Sequence, residues 1–177
     1  DTTDYLIEGA IRALLVNADR LLKDQKDVNA RGEIQWLASV AHNNFLDAGR
    51  RADWGSHRIE HELSAQYNVT HGEGMAVAMT AWTKYMAVKK PWRLALLASR
   101  VFGADPYDYS ETERAFILSE KLEAFFRKLG LKVKLSELGI DDKDFEVMAK
   151  RATRNGSVGH YEPLDAAAFV EILKLAL

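Results

Sequence analysis

Cysteine is absent from this 177-residue chain. Its absence excludes disulfide scaffolds, iron–sulfur clusters, thiolate zinc sites and cysteine nucleophiles. Proline is scarce at 3 residues, so long helices meet few breaks. No apolar run approaches the roughly eighteen residues of a membrane span, and no basic-then-apolar leader opens the chain. Neither sign of charge dominates: 24 basic against 26 acidic residues leave −2, which offers no general attraction to nucleic acid or an anionic membrane. What is present is 47% hydrophobic, 10% aromatic and 28% charged, an ordinary globular composition that needs no covalent staple. The cytoplasm is the compartment that fits.

Apolar steps of three and four predict a helix from Thr2 to about Asp24, with Thr2 or Thr3 as its cap. A second is predicted from about Asn29 to Ala48, with Ile34, Leu37, Ala38, Ala41, Phe45 and Leu46 facing inward. A third begins near Asp53, whose carboxylate caps it, and ends near Gln66. Tyr67 to Gly72 reads as a connection, and Met75 to Met86 as a helix apolar on nearly every face, which belongs in the middle of a bundle. Pro91 opens the next helix, and Gly103 closes it. Ser110 and Glu113 form a capping box, and Gly130 stops that helix. Asp141 to Arg154 and the segment after Pro163 and Asp165 complete the set. No segment alternates long enough to build a sheet. The expected fold class is all-α, one multi-helix bundle of about seven or eight helices spanning 1–177.

His57, His61 and His71 lie within fifteen residues. The first two are four apart, so on a helix they share a face; His71, past a turn, can fold back beside them. Neutral imidazoles suit iron(II), zinc, nickel or copper. The same spacing also serves a polar helix face or a hydrogen-bond network, and Gly72 and Gly74 then only permit a turn and close packing. His57-x-x-Glu60-His61 further spells a zinc-hydrolase pattern, in which the glutamate activates water. Three readings follow from the residues: a metal centre, an HxxEH-type zinc hydrolase, and a non-catalytic helical interaction module.

The full segment is Asp53-Trp54-x-x-His57-x-Ile59-Glu60-His61-x-Leu63-Ser64-Ala65-x-Tyr67-Asn68-Val69-Thr70-His71-Gly72-x-Gly74-Met75-Ala76. It resembles the signature of the iron-containing (group III) alcohol dehydrogenases, closest to their NAD(P)H-dependent butanol dehydrogenase branch. Asn43 to Leu46 with Gly49, Ala81-Trp82 with Lys84-Tyr85, and Pro163-Leu164-Asp165 extend the match over essentially the whole chain. The resemblance implies the all-helical C-terminal domain of a two-domain enzyme, dehydroquinate synthase-like in fold. The N-terminal domain that binds NAD(P)H then lies outside the chain, so the resemblance assigns no cofactor-binding residue here. It implies Fe(II), or zinc or nickel, as the metal. His57 and His71 match two of the metal ligands, and His61 matches the histidine given a proton-relay role beside nicotinamide and substrate.

The remaining aspartate and histidine ligands belong to an Asp-x-x-x-His helix upstream in the family. That pattern is missing here: His42, the only earlier histidine, has Ala38 four residues before it. The expected partners are a small alcohol or aldehyde and the missing N-terminal domain, and the isolated chain is expected to be inactive. Between a monomer and a homodimer the sequence leaves the choice open. Thr80 stands where the family commonly has proline, which should straighten that turn. Glu60 and Glu62 are candidates to orient imidazoles. Trp54, Tyr67 and Trp82 either line the substrate side or pack in the core. His42, His160 and the lysines Lys84, Lys89 and Lys90 are assigned to the surface or to structure.

Overall fold

A computed structural model describes residues 2–177. Among them run eight α-helices: α1 (Thr2–Lys23), α2 (Val28–His42), α3 (Gly55–Tyr67), α4 (His71–Lys89), α5 (Trp92–Phe102), α6 (Glu111–Lys128), α7 (Phe145–Ala152) and α8 (Ala166–Leu175). The expected all-α class is therefore observed, and among the described residues the only β pairing is the isolated bridge between Val158 and Leu164. Among the described residues no helix is long and apolar enough to cross a membrane. The contacts divide the chain into two compact units, Asp1–Ala52 and Asp53–Leu177.

In the first unit α1 packs on α2. Asp27 caps α2 by accepting the Ala30 N–H at 3.0 Å, and Arg20 holds both of its carboxylate oxygens. Two sequence expectations need correction here. Thr2 is already helical and the Thr3 hydroxyl donates to the Ala48 carbonyl at 2.8 Å, so that group fastens a loop instead of capping a helix. The second helix ends at His42, where Asn44 turns left-handed at φ +64° and a short 3-10 turn, Phe45–Asp47, follows. Phe45 consequently points to solvent, and Ala18 and Ala30 are the buried apolar residues of this unit.

The second unit is built around α4, which packs against α3, α5, α6 and α8. Its sequence explains that place: Ala76, Val77, Ala78, Ala81, Met86 and Ala87 are buried on successive faces, and the small ones let neighbouring helices approach closely. Ile59 and Leu63 from α3, Leu118 from α6, Phe145 and Met148 from α7, and Phe169, Ile172 and Leu173 from α8 complete the core. The predicted capping box closes the start of α6, with Ser110 accepting from the Glu113 N–H and Glu113 accepting from the Ser110 N–H. Thr80 keeps α4 regular, its hydroxyl donating to the Ala76 carbonyl at 2.8 Å. The helix predicted over 141–154 starts later, at Phe145, and α8 is capped by Asp165 as expected.

Candidate metal centre

Helix α3 begins at an unusual turn. Trp54 has φ +66°, a left-handed conformation that costs a bulky residue on the order of 1–3 kcal/mol. Asp53 holds the turn in place. Its Oδ2 accepts the Gly55 N–H at 2.9 Å, while Oδ1 accepts the N–H groups of His160 and Tyr161 at 2.6 and 2.7 Å. A β-carbon on Gly159, at φ +84°, would lie 3.0 Å from that Oδ1. The turn brings the Trp54 indole edge-on to the His57 imidazole, with centroids 4.8 Å apart.

At its other end α3 closes with Asn68, also left-handed, whose N–H donates to the Ser64 carbonyl. Residues 68–70 reverse the chain, and α4 starts directly at His71. The three expected site histidines converge. Ring centroids are 6.3 Å apart for His57 and His61, 5.7 Å for His57 and His71, and 6.0 Å for His61 and His71.

Beneath this triangle lies Glu60, a carboxylate with no exposed surface. Nδ1 of His71 lies 2.5 Å from its Oε2, and the Ser64 hydroxyl donates to Oε1 while lying 2.9 Å from the Val69 carbonyl oxygen. Glu60, His61 and His71 each offer a ligand atom within 4.8 Å of the others. Gly74 makes room for the carboxylate, since a β-carbon there would come within 2.9 Å of Glu60 Cγ and Oε1. Gly72 has open space at the same test.

Other candidates settle elsewhere. Glu62 accepts from Arg151 Nε at 2.5 Å, which ties α3 to α7. Tyr67 donates its hydroxyl to Asp144 at 3.1 Å, and burial foremost, then that carboxylate, pushes the phenol up to about 12. Trp82 packs beside Tyr161 with its indole N–H buried and without a hydrogen-bond partner. Lys84 pairs with Glu123, and Lys90 donates to the Tyr161 carbonyl. His42 is exposed and its Nδ1 meets the Ala38 carbonyl at 2.8 Å. Asp53 as a clamp, Ser64 and the specific need for glycine at position 74 were not read from the sequence. The i, i+4 spacing of Glu60 and Ser64 was the available signal.

Over residues 1–177 the sequence matches the model of the Fe-containing alcohol dehydrogenase family, C-terminal. The chain belongs to that family. It is 33% identical over 175 residues to NADH-dependent butanol dehydrogenase A of Clostridium acetobutylicum, covering 97% of this chain and 44% of that one. It is 27% identical over 154 residues to an NADPH-dependent aldehyde reductase of Escherichia coli, covering 86% of this chain and 39% of the relative. The crystal structure of NADH-dependent butanol dehydrogenase A from Thermotoga maritima superposes with a TM-score of 0.90 at 31% identity, over 99% of this chain and 46% of that one. The chain thus spans less than half the length of the family members it matches.

The hydrolase alternative fails on two observations. No sheet is present among the described residues, and the glutamate that would activate water is buried and engaged by His71 and Ser64. A metal ion, by contrast, fits the residues present. Nitrogen donors suit a borderline divalent cation, and a His71 that donates through Nδ1 keeps its Nε2 lone pair for one.

Proposed function

We propose that this chain is the metal-binding domain of an iron-dependent alcohol dehydrogenase that interconverts a primary alcohol and an aldehyde with NAD(P)(H). The observation that carries the reading is the convergence of three imidazoles above a buried carboxylate that holds one of them. Family membership supplies the reaction class, and the names of its relatives include both NADH- and NADPH-dependent enzymes.

In this reading His57 and His71 hold the metal, with Fe(II) first and zinc or nickel as alternatives. The remaining aspartate and histidine donors, and the fold that seats the dinucleotide, belong to a part of the protein outside these residues. A bound divalent ion supplies positive charge to an alcohol oxygen and lowers its pKa. The protein's own residues do the rest. His57 is set by the Asp53–Trp54 turn and His71 by Glu60, so neither ring has to reorganise when substrate arrives. His61 shares the exposed face of α3 with His57 and takes the hydroxyl proton in the oxidation direction, returning it during aldehyde reduction. Imidazole suits that role because its ordinary pKa lies near neutrality. Trp54 is half exposed and packs edge-on to His57, which supports a place on the substrate side in this reading.

An anaerobic titration with iron(II), and separately with zinc, tests the ligand assignment. Affinity should fall at least tenfold in His57→Ala and His71→Ala and persist in His61→Ala. Dependence on His61 with indifference to His71 would overturn it.

A further inference from the structure

We infer that Glu60 is a positioning residue for His71, fixing its Nδ1–H tautomer so that Nε2 is left as the donor nitrogen. This rests on the reading of His71 as a ligand for its purpose, but the tautomer itself is a property of the chain without metal. The His71 side chain is 58% exposed, while the Glu60 side chain that holds it is 0% exposed. An exposed imidazole ordinarily turns about its side-chain torsions and exchanges tautomers in water. Here the order comes from beneath, through the 2.5 Å contact between Nδ1 and Oε2.

The carboxylate cannot easily drift from that pose. The Ser64 hydroxyl holds its other oxygen, and Ser64 is itself anchored beside the Val69 carbonyl in the turn that delivers His71. The bare Cα of Gly74, one turn into α4, leaves the space that the carboxylate fills. Glu60, Ser64 and Gly74 form one device across the α3–α4 junction, with His71 at its outlet. Ligating histidines commonly donate their second ring nitrogen to a carboxylate, and loss of that partner costs 10–100-fold in metal affinity.

The test is ¹⁵N NMR of the histidine-labelled chain, metal-free, at a pH where the imidazoles are neutral. His71 should show protonated Nδ1 and bare Nε2. Glu60→Ala should lose the Nδ1–H signal of His71 while leaving His57 and His61 unchanged. Glu60→Gln should restore it, because the amide oxygen still accepts. Gly74→Ala, which leaves Glu60 chemically intact but displaces it, should shift His71 the same way as Glu60→Ala. An Nε2–H tautomer in the unaltered chain overturns the inference, and so does an unchanged tautomer in folded Glu60→Ala and Gly74→Ala. Zinc then separates the two claims. Glu60→Ala should bind it 10–100-fold more weakly. A changed tautomer with unchanged zinc affinity would remove His71 from the ligand set and leave its positioning by Glu60 intact.

Discussion

His160 donates its backbone N–H to Oδ1 of Asp53 at 2.6 Å, joining residues 107 apart in sequence. The same carboxylate accepts from Tyr161 and, through its other oxygen, from Gly55. One side chain therefore satisfies donors on a distant loop and at the start of the helix that carries His57. Asp53→Ala leaves all of them without this acceptor and should lower unfolding stability by about 2–4 kcal/mol in urea denaturation. A loss below about 0.5 kcal/mol would show that water replaces these bonds without penalty.

Gly72 and Gly74 should part company on substitution. Alanine at 72 meets open space and gains helix propensity, so its effect lies between neutral and about 1 kcal/mol stabilising. Alanine at 74 collides with Glu60 and should cost about 1–3 kcal/mol. Thermal melts of the two variants side by side decide the matter, and equal melting temperatures would refute the close packing.

Thr83 and Ser119 exchange a buried hydrogen bond of 3.0 Å between α4 and α6, and both hydroxyls also reach the Thr80 carbonyl. A double-mutant cycle with Thr83→Val and Ser119→Ala should give a coupling of about 0.5–1.5 kcal/mol. Strict additivity would mean that each hydroxyl acts through Thr80 alone.

The Tyr67 phenol stays protonated in the folded protein to about pH 12, against an ordinary value of 10.0. A raised folded pKa means that its stabilising contribution is complete below 10 and is lost as pH climbs from 10 towards 12. Tyr67→Phe, which lacks this proton, should flatten that alkaline limb in stability measured against pH. An unaltered limb would assign the alkaline loss to other groups.

The fold was legible wherever a local rule acted alone. The capping box at Ser110 and Glu113, the cap at Asp165 and the all-round apolar α4 appear where the pattern put them. Boundaries failed where a side chain had a distant partner or the backbone turned left-handed. Thr3 bonds Ala48 instead of capping α1, and the left-handed Asn44 stops α2 before Phe45. Glu62 and Glu60 look alike in sequence, two residues apart on one helix. The first faces Arg151, and the second lies sealed under His71.

By itself the sequence determined that the protein is helical and which family it belongs to, and it singled out His57, His61 and His71 as the candidate site. Those facts are local: period, caps and a fixed spacing survive in a linear string. Only the tertiary structure decided which carboxylate serves which imidazole, why position 74 must lack a side chain, and that Asp53 binds the far loop. Each depends on contacts between α3 and residues far along the chain or on a neighbouring helix. Such contacts are set by how closely helices can approach, and spacing along the chain does not record that distance.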